Sequence, residues 1–208
     1  MSHPGRAQLA RNHVAGRQTT GFTLVEALVS ITITALAGSV LLLAAESSIR
    51  TARDDVDRMI AEGLAQQLID EVLGTRYMAI GASPYQYPLG PSAAELAAKR
   101  RAAYDDTDDF YQFLAEPAQD RWARALGQGD GKGGLRHPDF RAGSKRLVSW
   151  RQEIEVYYVS ESNLSQRLTG SSTSNFRAVE ARISRRQPDG SLRPLAQVRR
   201  VYAYLPSP

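Results

Sequence analysis

The 208-residue chain has no cysteine. Disulfide staples, thiol nucleophiles and thiolate-held metals are therefore excluded, although an oxidising compartment would permit the first. Histidine is nearly as scarce. His3 and His13 fall in the first 21 residues, which leaves His137, next to a glycine-rich stretch and before Pro138. A Ser-His-Asp site would have to be built on it, and no nucleophile-elbow pattern is present. Residues 127–134 are too glycine-rich to pack and read as a mobile loop. They lack the ending of a phosphate-binding loop, since Gly133 follows Gly131-Lys132. These absences read against an enzyme, and no cofactor is called for. Acidic residues are missing from positions 1–21, which carry Arg6, Arg11 and Arg17.

Long apolar runs are also rare; there is one. Residues 27–45 have no charge and only Ser30, Thr32, Thr34 and Ser39 as polar interruptions. As a helix they extend roughly 28 Å, close to the thickness of a bilayer core. Lipid forces the backbone to satisfy its own hydrogen bonds, so a helix is predicted despite the β-branched residues. The basic leader places the N-terminus in the cytoplasm and the residues after 46 across the membrane. Three readings fit a basic leader before an apolar run. One is an uncleaved anchor. Another is a secretory signal cut after Ala35-Leu36-Ala37. The third is a leader cut between Gly21 and Phe22. Only the third gives Glu26 a reason to sit in the apolar run, where an acid defaults to a functional role. Otherwise Glu26 snorkels to the interface.

Gly21-Phe22-Thr23-Leu24-Val25-Glu26-Ala27-Leu28-Val29 resembles the prepilin-type cleavage and methylation motif of type IV pilins, type II secretion pseudopilins and related proteins. The resemblance covers about 25 residues. It implies removal of the basic leader 1–21 by prepilin peptidase and methylation of the new amine of Phe22. It also implies pairing of Glu26 with a neighbouring subunit's amine during filament assembly. Such pairing would relieve two costly charges at once and fix axial stagger. The implied protein is a minor pseudopilin or minor pilin, single-pass in the inner membrane with a periplasmic head, whose partners are other pilin-like subunits. The competing reading is a signal-anchored or secreted periplasmic binding protein with no filament role.

The net charge of +4 hides an asymmetry. Residues 46–140 sum to −5 and residues 141–208 to +7. This suits solvated strand faces, or head-to-tail docking of subunits. Nucleic-acid binding through Arg177, Arg182, Arg185, Arg186, Arg199 and Arg200 is disfavoured, because no recognised motif accompanies them.

Fold class follows from a change of period. Ile49, Ala52, Val56, Met59, Ile60, Gly63, Leu64, Leu68, Val72 and Leu73 form a helical stripe. One helix is thus predicted from Phe22 to about Leu73: 22–45 in the membrane and 46–74 as an amphipathic stem. The stripe meets either the head or a coiled-coil partner. Residues 81–91 carry three prolines and read as a loop. Ser92 and Glu95 form a capping box for a helix to about Ala103. Residues 147–159 alternate with period two, with Val148, Trp150, Ile154, Val156 and Tyr158 on the buried side and Gln152 as the exception. Residues 176–184 and 195–205 are predicted strands, joined as a hairpin by Gln187-Pro188-Asp189-Gly190. The expected class is α+β, with a head at 75–208 whose antiparallel sheet packs on the stem.

The acidic segment Tyr104-Asp105-Asp106-Thr107-Asp108-Asp109-Phe110 is similar to minor pilin-like proteins of mannose-sensitive haemagglutinin pilus systems. Asp105, Asp106, Asp108 and Asp109 are candidate oxygen ligands for calcium, without the EF-hand glycine or terminal glutamate. The competing reading is a solvated acidic loop anchored by its aromatics.

Overall fold

The computed structural model describes residues 21–141 and 147–206. The chain divides into two compact units, residues 1–50 and 51–208.

Helix α1 runs from Leu24 to Leu73. It starts where Thr23 Oγ1 accepts the Glu26 N–H at 3.2 Å, an N-cap that satisfies an orphan donor of the first turn. In the first unit the helix is apolar and exposed, and it is long and apolar enough to cross a membrane. Three of its hydroxyls donate to its own backbone. Thr32, Thr34 and Ser39 each donate at 2.8 Å to the carbonyl four residues earlier.

In the second unit α1 buries Asp57, Ala61, Ala65, Leu68, Ile69 and Val72, steps of three and four along one face. The sequence stripe is centred elsewhere: Val56, Met59 and Leu73 are exposed. The buried line runs instead through Ala61 and Ala65, both fully buried in the core that α1 shares with the sheet. They meet Trp150, Ile154 and Val156, together with Val179, Ala181 and Ile183.

The sheet has the order β1-β2-β3-β4, with β1 at Phe113–Ala115, β2 at Trp150–Tyr158, β3 at Phe176–Arg186 and β4 at Leu192–Ala203. Every pairing is antiparallel. A long apolar helix followed by a four-stranded antiparallel sheet is the α+β, pilin-like layout. Val148 falls outside β2 and is exposed, because the strand begins at Trp150. Gln152, the polar exception on the buried side, has its Oε1 accepting the Gln119 N–H at 2.9 Å, so its burial leaves that oxygen satisfied.

Ion pairs tie α1 to the strands. Asp57 is buried and meets Arg185 at 2.6 Å, while Asp54 meets Arg193 at 3.0 Å. Arg101 grips Glu71 with two guanidinium nitrogens, at 3.2 and 3.1 Å. The Ser92 capping box is present, yet the helix it opens, α2 (Ala93–Ala98), stops at Ala98 rather than near Ala103. Lys99 has turned left-handed (φ 52°) and terminates the helix, and Arg101–Ala103 forms a separate 3-10 turn. Residues 127–134, expected to be mobile, form turns. Asp130 Oδ1 accepts the N–H groups of Lys132 and Gly134, and Gly129 bridges Leu135.

Leu68→Ala should cost about 3 kcal/mol by removing a buried side chain between helix and sheet. Met59→Ala, on the exposed face, should stay within about 0.5 kcal/mol of wild type. Urea unfolding of the full chain in detergent micelles, followed by tryptophan fluorescence, measures both.

Candidate functional site: the helix start and the acidic turn

Gly21, Phe22 and Thr23 precede the helix, and the Phe22 ring is 72 % exposed. Glu26 lies in the first turn of α1, where the helix dipole favours a carboxylate. Thr23 and Glu26 stand in capping-box spacing, a second local meaning of this tetrapeptide that a reading for cleavage overlooks. A Cβ added at Gly21 would meet nothing within 4 Å. The chain's own fold therefore does not require glycine there. The basic leader, including Arg6, Arg11 and Arg17, lies outside the described residues.

The four aspartates of the acidic turn do not converge. Asp106 Oδ1 accepts the Asp108 N–H at 2.9 Å. Asp109 Oδ2 accepts the N–H groups of Asp105 and Asp106, at 2.9 and 3.2 Å. Asp108 accepts from the Gln86 amide at 2.6 Å and faces Arg177 at 3.4 Å. Three of the four are buried, so the segment is not a solvated loop. Asp105 and Asp109 do come together with a third acid, Glu95, with one oxygen of each within 4.8 Å of the others. Glu95 was legible only as a capping residue. Asp106 and Asp108 lie outside that group.

Sequence reasoning also missed Arg177 as the centre of this region. It is fully buried, and its guanidinium donates to the Tyr77 carbonyl at 2.7 Å, Tyr158 Oη at 2.9 Å and Thr107 Oγ1 at 3.1 Å. The Tyr77 and Tyr158 rings lie 4.3 and 5.0 Å from its centre. One side chain thus joins the irregular segment around residues 77–108 to β3. The available signal was a run of aspartates that, once folded inward, needs a cation. Burial pushes Asp108 up to about 7, helped by its neighbour Asp106 and opposed by Arg177. Burial likewise pushes Asp109 up to about 7, against the two N–H groups it accepts.

His137 sits on an exposed turn, its ring accepting the Asp139 N–H at 3.4 Å. The arginines named for nucleic acid are mostly consumed. Arg177, Arg182, Arg185 and Arg186 pair with Asp108, Glu180, Asp57 and Glu116.

Residues 16–42 match the family model of the prokaryotic N-terminal methylation motif. Neither the curated proteins nor the solved structures contain a match to the chain. The chain thus carries, at residues 16–42, the prepilin-type motif of type IV pilin and pseudopilin precursors. The motif is one that prepilin peptidase processes, and it points to a structural subunit.

Asp108 and Asp109 bind protons in the folded state that they release when unfolded, where the carboxyl value is 3.8. The stability they contribute is complete below 3.8 and is lost as pH rises through about 7. Thermal unfolding should therefore occur at lower temperature at pH 8 than at pH 5. Asp108→Asn, which keeps a donor and an acceptor without the charge, should reduce that difference and leave the share owed to Asp109.

Proposed function

We propose that the chain is a minor pilin-like subunit, a minor pseudopilin or minor pilin, assembled into a type II secretion or type IV pilus-like filament. The observation that carries this reading is Glu26, an acid in the first turn of a helix that is otherwise uncharged to Ala45. It lies within the matched methylation motif, and in this reading its partner is the amine of a neighbouring subunit.

In this reading, prepilin peptidase cuts between Gly21 and Phe22 and the amine of Phe22 is methylated. The exposed, non-helical stretch at residues 21–23 suits the active-site cleft of a peptidase. A glycine that the fold does not need at position 21 suits a small subsite there. The N-terminal half of α1 anchors the protein in the inner membrane, with the N-terminus cytoplasmic and the head periplasmic. Glu26 then meets the free amine of a neighbouring subunit. Each charge alone is expensive in hydrocarbon, and together they define the axial offset between packed helices. The rest of the apolar helix exchanges lipid for protein contacts in the filament core. The role is structural.

Intact mass and N-terminal sequencing of the protein from its native membrane test the reading. The expected chain begins at Phe22 and carries a methyl group on its amine. A chain beginning at Gly38, or an uncut Met1 chain, would favour the signal-anchored or secreted alternative and defeat the assembly mechanism. Glu26→Leu should leave membrane insertion and cleavage intact while removing the subunit from the sheared filament fraction.

A further inference from the structure

The connection between β2 and β3 carries a motif that filament assembly does not use. The chain has three asparagines, Asn12, Asn163 and Asn175. Only Asn163 is followed two residues later by a hydroxyl, in Asn163-Leu164-Ser165. That is the acceptor sequence for N-linked glycan transfer, and it calls for a surface loop outside the cytoplasm. An acid, Glu161, stands two residues before the asparagine. Single-subunit bacterial transferases read an acid at that offset. Glu161-Ser162-Asn163-Leu164-Ser165 therefore meets the stricter, bacterial form of the sequence.

The fold supplies the context that such a motif needs. Residues 161–167 are all exposed. The Asn163 N–H bonds the Ser160 carbonyl at 3.2 Å, and the Asn163 carbonyl accepts the Gln166 N–H at 2.9 Å. Asn163 Oδ1 accepts the Ser165 N–H at 3.1 Å, which closes an Asx turn inside the acceptor sequence itself. Arg199 of β4 donates to the Leu164 carbonyl and pins the turn to the sheet. Glu161 Oε1 accepts the Asn175 N–H and side-chain amide, at 3.2 and 3.0 Å, and holds the other end of the connection.

These bonds occupy main-chain groups and the asparagine oxygen. The two atoms that glycan transfer addresses are left over. Asn163 Nδ2 and Ser165 Oγ have no partner among the described residues. An Asx turn needs the asparagine oxygen and a main-chain N–H, which any residue at 165 except proline would provide. The turn therefore does not account for the hydroxyl at that position.

We propose that Asn163 is an N-glycosylation acceptor. The donor is a glycan carried on a polyprenyl diphosphate. Asn163 Nδ2 attacks the anomeric carbon of that glycan. A carbon–nitrogen bond forms, the bond from the anomeric carbon to the phosphate oxygen breaks, the lipid diphosphate leaves, and Nδ2 gives up one proton. The inference rests on the reading that places the head outside the cytoplasm, and it deepens that reading. A glycan on this turn keeps the connection between β2 and β3 in solvent and out of any contact between subunits.

The full chain, purified from its native membrane and cut with trypsin after Arg151 and Arg167, yields a peptide of residues 152–167. Electron-transfer fragmentation of that peptide should place the mass of an oligosaccharide on Asn163. Ser165→Ala removes a hydroxyl that no bond in the fold uses and keeps the Asx turn, which employs the main-chain N–H. It should abolish the added mass while tryptophan-monitored unfolding stays unchanged. Ser165→Thr should retain the added mass. A bare Asn163, sugar on Ser160, Ser162 or Ser165 instead, or a glycan that survives Ser165→Ala would each overturn the proposal. The N-terminus of the same sample separates the two readings: a methylated Phe22 with a bare Asn163 defeats only the glycan inference.

Discussion

Burial of one helix face in a core shared with one sheet organises the chain after residue 51. Ala61 and Ala65 have no side-chain bulk beyond Cβ, and both are fully buried. Leu68, Ile69 and Val72 fill the space one and two turns further on, against Trp150, Ile154 and Ile183. Apolar burial of this kind is the main favourable term in folding and has no direction of its own. Direction comes from charge. Asp54 and Asp57 meet Arg193 and Arg185, and Glu71 meets Arg101, so the helix is fixed in azimuth and along its axis.

The irregular segment between helix and sheet is held by another means. It has three short 3-10 or α turns and almost no strand, so it cannot share a ladder with its neighbours. A buried guanidinium substitutes for the ladder. Arg177 accommodates the carbonyls of Tyr77 and Pro84, the hydroxyls of Thr107 and Tyr158, and the carboxylate of Asp108. All five contacts are made by its two terminal nitrogens, while Nε has no hydrogen-bond partner among the described residues. The planar fork spreads them over both sides of the segment, which a single lysine ammonium would not do. The aspartates around residue 106 are consequently part of the head's interior scaffolding. Two of them also lie beside Glu95, so the turn serves packing and gathers negative charge in one place.

Much of the fold was legible because periodicity is set by local sequence. Period 3.6 gave the long helix to Leu73, and period two with a Pro-Asp-Gly turn gave β2, β3 and β4 within a few residues. What escaped depended on contacts distant in sequence. β1 is three residues long, too short to show a period, and exists because β2 offers it an edge; Gln112, with φ 53°, starts it abruptly. The buried face of α1 was misplaced because alanine reads as neutral in a stripe and becomes decisive only against a sheet. Arg177 was counted among surface arginines because nothing local distinguishes a buried one. At the candidate site, Gly21, Phe22 and Glu26 were legible from a motif that is local by nature, whereas Glu95 joined Asp105 and Asp109 through folding alone.

The hydroxyls of Thr32, Thr34 and Ser39 have a consequence for packing in lipid. Each donates its proton to its own helix, which leaves only acceptor lone pairs to face a neighbour. Two such helices lying side by side would meet chiefly through the ridges and grooves of their apolar side chains. Between Glu26 and Glu46 the sequence provides no other charge. The one charged group of such a helix before Glu46 stands at its start, at Glu26. In the proposed filament reading, that one charge is what would set the offset at which a subunit drawn out of the membrane comes to rest.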